Sequence, residues 1–331
     1  MGSFFSKGFN PDTDVGDLNG KVIIVTGGNT GIGYATIQHL ARHGAKVYMA
    51  ARSEEKAKAA IEKLNKEGLG PRNGEVIWLE LDLSDPRKVK KSAEAFLEKE
   101  KRLDCLINNA AMLVAPYAKT VDDIQDIMMI NHIGHFVLTM TLLPLLKETA
   151  KEPGSDVRVV TVSSNAINML SKGVRFRNRD DFNNELAKSV FPGMARYALS
   201  KLANALFAKE LQKKLDEEKV PILCLSLHPG AVKTERSVEF ASNLSMFLRT
   251  LLKAAQSLFF IPTEQGSYAS VFAAVAPTVR AEPEKYKGAY LTPPGVISKP
   301  SKDAENPELA KELWDTTESL LKEIGVEVQS V

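Results

Sequence analysis

At 331 residues the chain is long enough for one large α/β domain or two smaller ones. Its 44% hydrophobic and 25% charged residues are those of a soluble globular protein. A formal charge of +2, with no aromatic–basic motif, gives no reason to expect nucleic acid as a partner.

Cys105 and Cys224 each sit inside an apolar run and read as core thiols of a reducing compartment. No second cluster joins His132 and His135 to suggest a metal, so both read as packing or surface groups. No apolar run reaches the ~18 residues that span a bilayer. The nearest, 244–261, is broken by Arg249, Lys253 and Gln256. No secretory signal is present, but Met1-Gly2-Ser3-Phe4-Phe5-Ser6 fits the N-myristoylation pattern, a single chain that would anchor only marginally. These features predict a cytoplasmic protein without a transmembrane helix, with peripheral membrane contact left open.

Strand-like and helix-like segments alternate. Strands are expected at 22–26, 45–50, 75–81, 103–108, 157–162, 222–227 and 289–291. Helices are expected at 32–43, 53–66 with Ser53 as N-cap, 85–101, 121–147, 198–218, 263–274 and 306–324. Apolar strands separated by helices predict one α/β domain, a doubly wound parallel sheet covered on both faces, over 20–331 after an N-terminal extension at 1–19.

The first strand runs into Thr26-Gly27-Gly28-Asn29-Thr30-Gly31-Ile32-Gly33, which opens a helix. Such glycines let the backbone approach a pyrophosphate, and a helix N-terminus offers free N–H groups. The G-x-x-x-G-x-G spacing differs from G-x-G-x-x-G, and Tyr34 stands where a nucleoside-triphosphatase loop needs Lys. The second strand ends Ala50-Ala51-Arg52, without the acidic residue that would select NAD. Arg52 with Lys56 could grip a 2′-phosphate, so NADP(H) is preferred and NAD(H) is the alternative; solvated helix-start charges beside Glu54 and Glu55 are the duller reading.

Taken with Asp82-Leu83, Asn108-Asn109-Ala110, Asn131, Ser163-Ser164, Tyr197…Lys201 and Pro229-Gly230…Val232…Thr234, these pieces resemble the short-chain dehydrogenase/reductase family over about 20–291. The resemblance implies a Rossmann-type fold. It places Asp82 at the adenine, Asn109 over the cofactor, and Val232 and Thr234 at its carboxamide end. Ala111, where the family usually has Gly, is a departure. Tyr197 and Lys201 stand one helical turn apart, so an ammonium, with the oxidised nicotinamide, would favour the phenolate. Tyr197 would then exchange a proton with a carbonyl or alcohol oxygen that Ser164 hydrogen-bonds. By the resemblance, Lys201 also binds the nicotinamide ribose, Asn131 ties Lys201 to a water path, and Ser164 rather than Ser163 is the catalytic serine.

The polar insert 167–193 and the segment Tyr197-Ala-Leu-Ser-Lys201-Leu-Ala-Asn-Ala-Leu-Phe207 look like the retinol-dehydrogenase-like branch, whose members often handle lipophilic alcohols, aldehydes and ketones. The apolar stretch up to Ile261, with Phe240, Leu244, Phe247 and Leu251, falls where the family places a substrate lid at 235–261; a membrane-surface helix and a core helix are the competing readings. The expected substrate is a bulky lipophilic small molecule of terpenoid, steroid, retinoid or polyketide type. The alternative function is a non-enzymatic NADP(H)-binding regulator or scaffold. The C-terminal helix could pack on the domain or on a second copy, which leaves homo-oligomerisation open.

Overall fold

In the computed structural model, residues 8–232 and 261–329 are described. Thr234 and the expected lid, apart from Ile261, lie outside them, as does the acylation motif.

The sheet has eight strands: β1 (Val22–Thr26), β2 (Lys46–Ala51), β3 (Glu75–Glu80), β4 (Cys105–Asn108), β5 (Val157–Val162), β6 (Ile222–Leu227), β7 (Tyr290–Thr292) and β8 (Val296–Ser298). Their order is β3-β2-β1-β4-β5-β6-β7-β8. All neighbours are parallel except β7 and β8, which form an antiparallel hairpin at the edge. β1, β5 and β6 are buried along their whole length, as a sheet covered on both faces requires. The order reverses between β1 and β4, so the carboxyl ends of these two strands flank the switch-point crevice where such folds bind ligands.

Helices α1 (Gly31–Arg42), α2 (Glu54–Glu67), α3 (Pro86–Lys99), α4 (Gly134–Lys151), α5 (Pro192–Glu217), α6 (Thr263–Val275) and α7 (Pro307–Glu323) cover the faces. Ser53 caps α2, its Oγ accepting from Lys56 N, and Asn306 caps α7 in the same way. The predicted helix at 121–147 begins later, at Asp126–Met128, and passes through a π-helical turn (Met129–Ile133) before α4. Asp126–Lys151 is long and apolar enough to cross a bilayer, but 78% of its most apolar window is buried against the domain. It is a core element.

The insert is less polar in practice than its sequence reads. Phe176 and Phe182 are fully buried and stack edge-on, while Arg175 and Arg179 pair with Glu312 and Glu323 of α7. α7 therefore packs on its own domain, against α5 and the insert.

Candidate active site

The turn after β1 is built for close approach. Gly27 and Gly31 have φ of +66° and +60°, in the left-handed region that favours glycine. A Cβ on Gly33 would lie 2.5 Å from Gly27 O and 2.6 Å from Asn109 Nδ2. Thr30, at the N-cap of α1, makes no side-chain cap. The N-terminal N–H groups of α1, at Ile32 and Gly33, thus keep their donors and positive dipole for an anion.

Thr26 organises the floor of this cradle. Its Oγ1 accepts from Asn109 N and Ala110 N, each at 2.9 Å, and lies 2.9 Å from His135 Nε2. His135 Nδ1 lies 3.1 Å from Asn131 O, which can only accept. The proton must therefore be on Nδ1, Nε2 is the acceptor, and Thr26 donates to it. Asn109 Nδ2 donates to Thr26 O at 2.8 Å. Asp82 accepts from the Ser84 hydroxyl and backbone and from Lys88. Burial pushes its carboxyl up, but these donors outweigh it and hold the group below the usual range. Leu83 is buried, with Gly134 against its backbone.

At the end of β2, Arg52 and Lys56 are exposed. Glu54 turns away to Lys58 at 2.7 Å, and among the described residues no carboxylate pairs with Arg52 or Lys56.

β5 is followed directly by Ser163 and Ser164, and their surroundings separate them. Ser163 is buried and donates to Lys201 O at 2.7 Å, fastening β5 to α5. Ser164 is half-buried; its Oγ accepts from Ala166 N at 3.2 Å, and the hydroxyl favours the ionised form of the Tyr197 phenol. Lys201 is 1% exposed; its Nζ donates to Val162 O at 2.8 Å and stands 5.7 Å from the Tyr197 ring centre. Sequence reasoning expects the ammonium to lower the phenol. In the protein alone burial wins on both groups, pushing Tyr197 up to about 12 against the help of Ser164, and Lys201 down to about 7. Neither charge has an anion or cation close enough to offset its desolvation.

Among the described residues Asn131 makes no hydrogen bond to Lys201. It lies in the π turn, where its Oδ1 accepts from Met112 N at 2.7 Å and its Nδ2 donates to Met112 O and to Ser200 Oγ, each at 2.9 Å. It thereby fixes the loop after β4 and the turn of α5 between Tyr197 and Lys201. His135, expected from the sequence to be a packing or surface group, is buried, and its bonds to Thr26 and Asn131 are what the sequence does not show. Its only local signal is its position one turn after Asn131.

At the far end of the site, Gly230 has φ +96°, and a Cβ there would meet Ile261 Cδ1 at 2.9 Å. Val232 and Ile261 form a parallel bridge, with Ile261 N donating to Ala231 O at 2.8 Å. The expected lid thus leaves and rejoins the domain at adjacent points.

His132, His135 and His228 are pushed down to about 3, 4 and 4, in each case chiefly by burial. All three stay neutral in the folded chain while the unfolded chain protonates near the ordinary ~6.5. The unfolded state then binds more protons between about pH 6.5 and the folded values. Stability is complete above that window and falls as pH drops through it, by about 1.4 kcal/mol per pH unit for each histidine. Urea midpoints between pH 7 and pH 5 should fall steeply, and a flat profile would contradict the buried, neutral assignment.

A parallel sheet whose first strand ends in such a cradle is suited to holding a dinucleotide, and a phenol beside a serine and an amine suits proton exchange with an oxygen. That combination defines the class as nucleotide-dependent oxidoreductases. Residues 21–175 match the family model for short chain dehydrogenase. A short-chain dehydrogenase/reductase of Armillaria gallica is 46% identical over 307 residues, 93% of this chain and 94% of that protein. Retinol dehydrogenase 12 of Mus musculus is 36% identical over 304 residues, covering 92% and 87%. A crystal structure of a protein from Mycobacterium paratuberculosis superposes with a TM-score of 0.70 at 28% identity, covering 98% of this chain and all of that one. The chain belongs to the short-chain dehydrogenase/reductase family, in its retinol-dehydrogenase-like branch, and is an oxidoreductase acting between hydroxyl and carbonyl groups.

Proposed function

We propose that the chain interconverts a hydroxyl and a carbonyl on a bulky lipophilic substrate, with NADP(H) preferred over NAD(H). The observation that supports the substrate class is a half-buried apolar loop, Met112–Ala115, held against the start of α5. Gly193, one turn before Tyr197 on α5, brings the Met112–Ala115 loop so close that a Cβ there would lie 2.7 Å from Val114 Cγ1. Arg196 Nη2 ties the same loop down through Ala115 O at 2.8 Å. Met169 and Phe191, both 60% exposed, flank the Ser164 turn and the start of α5 in sequence.

The cofactor supplies or accepts the hydride when bound. The rest falls to the chain. Arg52 and Lys56 hold the 2′-phosphate, the cradle from Thr26 to Gly33 holds the pyrophosphate, and Asp82, Leu83 and Asn109 line the adenosine side. Pro229, Gly230 and Val232 face the carboxamide end, where the family resemblance also assigns Thr234, outside the described residues. In reduction Tyr197 gives its proton to the carbonyl oxygen while Ser164 donates a hydrogen bond to it. In oxidation the proton returns. Lys201 steadies the phenolate, and Asn131 acts through Ser200 on the helical turn that carries both. A cytoplasmic enzyme that meets such substrates at a membrane surface accords with this reading.

The test is a panel of carbonyl substrates of rising size, assayed by NADPH absorbance with both cofactors. Arg52→Asp should raise the KM for NADPH by roughly 10- to 100-fold and leave that for NADH level or improved. Faster turnover of short polar carbonyls, or an unchanged NADPH preference in Arg52→Asp, would refute the substrate or the cofactor assignment respectively.

A further inference from the structure

The edge hairpin reaches into the candidate site. Tyr290 of β7 pairs with Ser226 of β6 on one side and Ser298 of β8 on the other, and its side chain is 5% exposed. Its hydroxyl donates to Asn165 Oδ1 at 3.1 Å, across 125 positions of sequence. β5, which leads into Asn165, and β7 are not neighbours in the sheet: β6 lies between them. The bond therefore arches over the end of β6 and joins two strand ends that make no ladder with each other.

Its target is telling. Asn165 is exposed and follows Ser164 directly, opening the 3₁₀ turn Asn165–Met169 whose first N–H groups Ser164 Oγ caps at Ala166. Ser164 has one proton and two lone pairs to share. One acceptor site is used on Ala166, so the direction of its O–H toward Tyr197 depends on where the Ser164–Asn165 turn is held. A buried tyrosine hydroxyl needs only some acceptor, yet this one spans a strand to reach the solvent-facing residue beside the serine. The Tyr290 phenol also lies near enough to Tyr197 for its charge to be felt, and burial together with that charge keeps Tyr290 protonated, and hence a donor, when Tyr197 ionises. The same hairpin reaches the root of the expected lid, since a Cβ on Gly230 would touch Pro293 Cγ at 3.4 Å as well as Ile261.

We propose that Tyr290 is a positioning residue for the reaction: its hydroxyl clamps Asn165 and thereby holds the Ser164 hydroxyl in line with the Tyr197 oxygen. This rests on the roles proposed above for Ser164 and Tyr197. Releasing the clamp lets the Ser164 hydroxyl drift from the place where it favours the Tyr197 phenolate and meets the substrate oxygen, and leaves the cofactor cradle on β1 untouched.

Tyr290→Phe keeps the ring in the core and removes only the hydroxyl. Its kcat is expected to fall about tenfold, the worth of one hydrogen bond, with the Kd for NADPH within about twofold. The pH–rate limb of Tyr197 should move to higher pH in both directions of reaction, because displacing Ser164 removes an influence that lowers that phenol. Asn165→Ala, at an exposed position, should reproduce both changes, and the double variant should be no slower than either single one. Wild-type kcat and pH profile in Tyr290→Phe or in Asn165→Ala would overturn the clamp, as would additive losses in the double variant. Tyr197→Phe measured in parallel separates the two readings. If it is inactive while Tyr290→Phe is normal, only the clamp falls; if Tyr197→Phe also turns over normally, the site assignment beneath it falls.

Discussion

Tyr197→Phe is expected to lose ~10²–10⁴-fold in kcat while binding NADPH nearly as well as the parent chain, the range removed when a positioned general acid is deleted. The prediction follows from what surrounds the hydroxyl. Ser164, the side chain that favours its ionised form, is itself anchored independently through Ala166 N. The ring's removal of one oxygen leaves the fold without a buried orphan, because Ser164 remains half-open to water. Burial pushes the phenol up to about 12 and the neighbouring amine down to about 7 in the protein alone, so at neutral pH the phenol is uncharged and the amine only partly charged before a cofactor arrives. NADPH fluorescence titration together with steady-state assay decides the matter. Loss of binding in step with turnover would mean that the hydroxyl is structural, and unchanged turnover would remove Tyr197 from the chemistry.

The second large effect is on stability. Trp314 of α7 is 1% exposed, stacks on Phe207 of α5 at 5.8 Å and 14°, and meets Phe136 of α4 edge-on at 4.9 Å. His132 joins the group, packed among Phe136, Phe182 and Phe207, with its Nε2 2.9 Å from Thr317 Oγ1. Trp314→Ala should cost about 3–5 kcal/mol, as a large aromatic deletion in a close-packed core does. Urea denaturation would show it, and a loss under about 1 kcal/mol would mean that α7 is not an integral part of the core. Trp314→Phe should lose less, since the indole Nε1 has no hydrogen-bond partner among the described residues.

The sheet was legible because its strands are continuous apolar runs: β5 and β6 begin and end where the sequence pattern places them. Other boundaries had weaker local signals. α5 starts at Pro192, six residues before its expected start, because Pro-Gly reads as a breaker although proline suits the first helical position. β8 has three residues, none of them buried, and hydropathy cannot mark it. At the site, the residue types were legible and their partners were not. Ser164, Tyr197 and Lys201 carry their chemistry in their identity and spacing. The attachment of Asn131 to Ser200 and Met112, the tautomer of His135 and the reach of Tyr290 to Asn165 arise only when distant segments meet. The buried Phe176 and Phe182 were hidden for the same reason, inside a stretch whose arginines and aspartates dominate its composition.

The bridge between Val232 and Ile261 has a consequence for how such a protein diversifies. A segment whose two roots are fastened side by side can be lengthened, shortened or exchanged without shifting the sheet, since doubling a flexible loop costs only about 0.6 kcal/mol of closure entropy. The proton-handling residues described above lie on β5, α5 and the π turn, none of which spans those roots. On the proposed reading of 235–261 as a substrate lid, selection of what enters and execution of what is done to it are carried by separate stretches of chain, and the first can be rewritten while the second is left intact.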